Sequence, residues 1–133
     1  SGPGIAWFYR SGDGGGSWTE ITTAPNFLGG QGWYDLACGV STTDKDEITV
    51  GGVNSWKSLD GGATWTINSH WYGANGIPYV HADLHVVEYV SGTTCYLGTD
   101  GGVAITTDGG VSWTTINGQM NIAQLAHVLA GMI

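Results

Sequence analysis

Basic residues are nearly absent from this chain of 133 residues. Arg10, Lys45 and Lys57 stand against eleven acids, for a formal net charge of −8. A surface so short of cations has nothing to neutralise phosphates, so nucleic acid and anionic membrane faces are excluded as partners. Cysteine is scarce as well. Cys38 and Cys95 are too few for a disulfide framework and lie too far apart for a short metal-binding knuckle. Both sit in apolar runs, "DLACGV" and "TTCYLG", and are expected to be buried free thiols. No apolar run reaches the roughly 18–20 residues of a membrane span, so no membrane insertion is expected. No signal peptide is visible at the N-terminus, although one could have been removed.

What the chain has in quantity is glycine (24), tryptophan (7) and tyrosine (6), with Thr, Val and Ile in short runs. That composition points to an all-β domain with many tight turns, and it is ample for a core. It also suggests a secreted or cell-surface protein. Three stretches repeat one frame, Ser/Thr-x-Asp-Gly-Gly-x-Ser/Thr-Trp: "SGDGGGSW", "SLDGGATW" and "TTDGGVSW". Their aspartates, Asp13, Asp60 and Asp108, recur at a period of about 48 residues. Each aspartate can accept bonds from backbone N–H groups just ahead of it, and the glycines supply the positive φ angles of the turn. Trp18, Trp65 and Trp113 then open strands with their rings directed into the core. Each would remove roughly 150–250 Å² from water. A structural role is therefore expected for all six residues.

Between the turns the strand signals are regular. "WYDLACGVS", "DEITVGGV", "NSWKSL" and "TWTINS" read as four strands. "DLHVVEYV", "TCYLGTD", "GVAITT" and "SWTTIN" repeat the order. Asp35 and Asp83 open equivalent first strands, which fixes the register independently. Four-stranded antiparallel units of this period, arranged radially, are propeller blades. The expected organisation is one propeller segment of about 2.8 blades in an incomplete ring. It comprises a half blade over 1–24, blades over 31–69 and 79–117, and the first strand of a further blade, or a short helix, over 118–133.

The three turns resemble the Asp-box of BNR-repeat β-propellers, a group with sialidases, sortilin-type receptors and xyloglucan-active glycoside hydrolases. The run from "WYDLACGV" through "YLGTDGGVAITTDGGVSW" is similar to large secreted bacterial BNR-repeat proteins. The resemblance implies the fold and leaves the activity open, because Asp-boxes generally sit at blade edges away from active sites. A sialidase of this group needs an arginine trio for the substrate carboxylate, and Arg10 is the one arginine here, expected to face solvent. Sialidase activity is excluded for this chain alone.

Asp35 and Asp83 remain as a candidate carboxylate pair. Inverting glycosidases hold two such groups roughly 6.5–9.5 Å apart, one acid and one base. In the xyloglucan-active enzymes that this architecture resembles, the carboxylates face each other across two propellers. The competing structural reading has both aspartates bonding backbone amides at strand starts. Trp33, Tyr34, Trp71, Tyr72 and Tyr79 could stack on sugar faces, the last three on or beside the loop "SHWYGANGIPY". In "HADLH", His81, Asp83 and His85 alternate and would share one strand face. Positions i and i+2 stand about 6.5–7 Å apart along a strand, which strains chelation, so a channel-lining hydrogen-bond set is expected and no metal or other cofactor. "DKDE", Asp44 to Glu47, fits a solvated hairpin turn, and Asp100 fits a further turn-forming aspartate.

Two readings of function follow. In the first, the chain is a non-catalytic propeller segment, a scaffold or binding module for protein or glycan. In the second, it is a fragment of a glycoside hydrolase using Asp35 and Asp83. In either, the remainder of a longer chain or further copies of the protein would close the ring.

Overall fold

The computed structural model describes residues 5–119, all of them in strands, turns and short 3-10 segments. The expected first strand or helix over 118–133 lies almost wholly outside the described residues. Among the described residues ten strands form three antiparallel sheets. The first is a pair, β1 (Tyr9–Arg10) and β2 (Thr19–Glu20). The second runs β3 (Ala37–Val40), β4 (Ile48–Gly51), β5 (Ser55–Ser58), β6 (Thr66–Ser69) in simple meander order. The third repeats it with β7 (Leu84–Tyr89), β8 (Cys95–Thr99), β9 (Gly102–Thr106) and β10 (Thr114–Thr115). The first strands β3 and β7 lie side by side at the inner margin. Gly39 is why they can approach so closely: a Cβ there would stand 2.9 Å from the Val87 carbonyl oxygen.

The cores lie between sheets. Phe27, Leu28, Ile48 and Val50 pack with Ile5, Phe8, Trp56 and Trp65. Ala37, Val80, Leu84, Val87, Tyr89, Cys95, Leu97 and Ala104 form the next core, against which Trp113 packs. The turn tryptophans depart from full burial. Trp65 and Trp113 are half-buried, and Trp18 is exposed, because no described sheet covers the outer face of the β1–β2 pair. The cysteines also differ from expectation: Cys95 is buried, and burial pushes its thiol up to about 12, whereas Cys38 is exposed on β3.

The strand order places every loop at one of two rims. The β1–β2, β5–β6 and β9–β10 turns share one rim with the β3–β4 and β7–β8 turns. The β2–β3, β4–β5, β6–β7 and β8–β9 connections share the other. On the first rim all three aspartate turns have one geometry. In the second, Ser58 Oγ donates to Asp60 Oδ1 (2.8 Å) and accepts from Gly62 N (2.8 Å). Asp60 in turn accepts from Thr64 N (2.8 Å) and Thr64 Oγ1 (2.6 Å). Gly61 and Gly62 hold φ of 72° and 97°, which a side chain would strain.

The three cations all serve this same rim. Lys57 reaches Gly109 O in the next turn (2.8 Å) and pairs with Glu47. Arg10, one repeat earlier, reaches Gly61 O (3.4 Å), pairs with Asp46 and bonds Lys45 O. Arg10 is thus a staple between neighbouring units and does not simply face solvent. Lys45 pairs with Asp46 at 3.1 Å. "DKDE" is only partly a solvated turn: Asp44 caps Asp46 N, while Glu47 is buried beside Lys57 and Tyr89.

Candidate functional site

The opposite rim gathers the acids and aromatics singled out in the sequence, with three corrections. Asp35 precedes β3 by two residues, in a turn where Asp35 N and Tyr34 N both donate to Gln31 O (3.1 and 2.7 Å). The expected strand from Trp33 therefore begins only at Ala37. Asp35 is fully buried, and neither carboxylate oxygen has a hydrogen-bond partner. The group that acts on it from its own backbone is the Asp35 N–H, and from across the junction the Asp83 carboxyl. Burial first, and then the Asp83 carboxyl against it, push its pKa up to about 6, with His85 acting in the opposite sense.

Asp83 stands just ahead of β7 at φ 63°, a left-handed conformation uncommon outside glycine. Its main chain turns there because Leu84 N bonds Gly52 O (2.8 Å) and Asp100 N bonds Asp83 O (3.2 Å). Gln31 Nε2 donates to its carboxylate at 3.3 Å. This turn, with a bulge between Leu84 and Val86, breaks the alternation expected of "HADLH". His81 contacts its neighbour Ala82 O (3.1 Å), whereas His85 reaches across to Asp100. The three side chains do not form one strand face.

Asp100 is the residue whose role the sequence reading missed. In its turn the hydroxyl of Thr99 receives Gly101 N (3.1 Å). The Asp100 carboxylate instead accepts His85 Nε2 on one oxygen and Tyr34 OH on the other, each at 2.7 Å. Burial tends to raise its pKa, but the bonds from Tyr34 and His85 outweigh it and hold the group below its ordinary value. The available signal was a break in the repeat, since the equivalent position one unit earlier is Gly52.

The aromatics form two clusters on this rim. Trp33, 80% exposed, lies against Tyr34 (ring centroids 5.5 Å apart), and Tyr34 meets His85 edge-on at 5.2 Å. On the β6–β7 loop Trp71 and Tyr72 meet edge-on at 4.7 Å, with His70 at 4.0 Å from Tyr72. Asn54 Oδ1 fixes this loop by accepting Trp71 N (3.0 Å), and Tyr79 pairs with His70 at its base. Trp71, Tyr72 and Tyr79 are all exposed. Among the described residues no three His, Cys, Asp or Glu side chains are arranged to hold a metal ion. No helix among them is long and apolar enough to cross a membrane. Away from this rim, an open apolar groove of about 370 Å³ lies between Trp7, Phe8, Phe27 and Leu36.

No protein-family model matches the sequence, and no curated protein matches it. Among solved structures the chain is similar to the GH74 enzyme of Niastella koreensis, at 26% identity with a TM-score of 0.54. The likeness covers 83% of this chain and 18% of that enzyme's chain, so the chain spans under a fifth of its length. The fold is all-β, with antiparallel four-stranded blades of a partial β-propeller, and the likeness to the GH74 enzyme is to one segment of that chain.

Proposed function

We propose that this chain is a glycan-binding segment of a propeller protein related to glycoside hydrolases, and that its ligand lies on the rim opposite the aspartate turns. The observation that carries the reading is the exposure of Trp33, Trp71, Tyr72 and Tyr79 beside the Tyr34–Asp100–His85 chain. Aromatic faces stack on the apolar faces of sugar rings, while carboxylates and imidazoles bond the hydroxyls at their edges. A buried core has no use for aromatics held this way. The frame of the three turns supports placing the chain among BNR/Asp-box propellers, working outside the cell.

Catalysis is the second reading, and the likeness to the GH74 enzyme favours it. Its first form, with Asp35 and Asp83 as acid and base, meets a physical obstacle. Asp35 is fully buried with Asp83 against it, so it is closed to a sugar ring on the rim. Asp83 and Asp100, both partly accessible, are better placed to touch a substrate.

The units 1–24, 31–69, 79–117 and 118–133 are the proposed blade divisions. The groove beside Trp7 and the exposed Trp18 would then be covered by the remainder of a longer chain or by another copy. Isothermal titration with xyloglucan oligosaccharides, run beside a reducing-sugar assay, tests the reading. Binding lost in Trp33→Ala and Trp71→Ala supports it. Retention of binding by both variants would overturn it. Turnover abolished by Asp100→Asn or Asp83→Asn would establish the catalytic form.

A further inference from the structure

Asp35 presents a problem of charge that the described residues do not solve with a cation. A carboxylate transferred to the interior without hydrogen bonds is among the costliest groups a fold can hold. This one is fully buried, with both oxygens unpartnered, and it faces a second carboxylate. A basic side chain would be the ordinary remedy. All three of the chain's cations are committed to the opposite rim, Arg10 and Lys45 on Asp46 and Lys57 on Glu47. His85, whose charge acts on Asp35, is engaged by Asp100. Among the described residues no cation is left over to balance the charge.

The donors decide what can balance it. Asp35 offers two buried oxygens with no donor beside them, and the Asp83 carboxyl stands against them with one oxygen accepting from the Gln31 amide. That amide presents its own oxygen to the same point if it turns over, since its oxygen and nitrogen occupy nearly the same envelope. Among the described residues no sulfur and no third carboxylate joins them, so the set is hard oxygen throughout, which selects calcium- or magnesium-type ions over zinc or copper. Magnesium dehydrates reluctantly and keeps several waters, for which a fully buried carboxylate leaves little room. Calcium accepts bidentate carboxylates and irregular geometry.

We propose that Asp35 and Asp83, with Gln31, bind a calcium ion at the junction of β3 and β7. The ion would neutralise the pair, give both free oxygens of Asp35 a partner and tie two blades together at their inner strands. It would also hold the left-handed turn at Asp83, and with it the neighbouring Asp100. The site stands independently of whether the rim binds glycan, because the donor that demands a partner, Asp35, is interior.

The test uses the full chain stripped with EDTA at pH 7.5, with its melting temperature followed as calcium chloride is added. Terbium luminescence sensitised by the nearby Trp33 and Tyr34 gives a second readout. A calcium-dependent rise of several degrees, with tenfold or more selectivity over magnesium, is expected in the parent protein. Asp35→Asn and Asp83→Asn should both lose the rise and the terbium signal, and Asp46→Asn, in the other acidic group, should keep them. Should Asp35→Asn fail to fold, Asp83→Asn and the terbium titration still decide. No shift in the parent protein, or a shift that survives Asp35→Asn, would overturn the proposal. Stabilisation by Asp35→Asn with no calcium response in the parent would show instead that the pair shares a proton.

Discussion

The two rims of the molecule use the same residue, aspartate, to opposite effect. On one, Asp13, Asp60 and Asp108 are surrounded by short bonds from Ser and Thr hydroxyls and backbone amides, and their pKa values fall to about 2. For Asp13 the Ser17 amide is the largest cause; for Asp60 and Asp108 it is the hydroxyl of Thr64 and of Ser112. On the other, Asp35 is buried without a partner, and its pKa rises to about 6. A carboxylate satisfied by its own loop closes that loop and has nothing left to offer a ligand. A carboxylate left unsatisfied costs stability and keeps its bonding capacity for something else. Local turn chemistry holds the fold together at one end of the blades, and that support allows strain at the other.

The comparison breaks most forcefully at Lys57. Its ammonium and the Glu47 carboxylate are 12% and 9% exposed, so Lys57→Met leaves a buried charge unpaired. A loss of about 3–5 kcal/mol in urea-unfolding stability is expected, with glycan affinity of the folded fraction unchanged. The equivalent ion pair of Arg10 with Asp46 is more open, at 26% and 39%, and Arg10→Met should cost only about 1 kcal/mol.

Next in size is the pH dependence, which should have opposite sign for the two rims. Asp35 has a folded pKa above its unfolded value, so its contribution is fully present below about pH 4 and is lost as pH rises through about 6. In EDTA, Asp35→Asn should therefore be more stable than the parent at pH 8 by about 1–3 kcal/mol, with the difference vanishing near pH 4. The turn aspartates have depressed values, so their contribution is present above about pH 4 and is lost as pH falls toward 2. Asp60→Ala should lower the melting temperature by several degrees at pH 7 and by much less at pH 2. Thermal melts across this range check both signs.

A smaller effect is expected from Ser58→Ala. The Ser58 hydroxyl is buried and serves Asp60 Oδ1, Asp60 N and Gly62 N together. Its removal should cost about 1–3 kcal/mol of stability and leave ligand binding alone. Smallest in stability, and largest for binding, is Trp71→Ala. It should weaken a bound oligosaccharide about tenfold, or roughly 1.4 kcal/mol, and change the unfolding free energy by less than about 1 kcal/mol. A Trp71→Ala protein that unfolds early but binds normally would return this loop to a structural role.

How much of this was legible in the sequence follows the reach of each interaction. The aspartate turns could be read because Ser58, Asp60, Gly62 and Thr64 act within a few residues of one another. The strand runs could be read because their spacing repeats. The all-β propeller architecture came from those two signals together. The chain Tyr34–Asp100–His85 was not legible, because it joins residues 66 and 15 positions apart across two blades. The burial of Glu47 depends on Lys57 from the adjacent strand, and the exposure of Trp18 on the sheet that fails to cover it. The alternation in "HADLH" was misleading for a local reason: Asp83 adopts a positive φ, and the period of two does not survive it.

The division of labour between the rims is tested most directly by one spectrum. The seven tryptophans report on both ends of the blades through their indole N–H resonances. Titrating the isotope-labelled chain with a xyloglucan oligosaccharide should move the signals of Trp33 and Trp71 and leave those of Trp18, Trp65 and Trp113 in place. Shifts confined to the turn tryptophans, or no shift at millimolar oligosaccharide, would contradict the account.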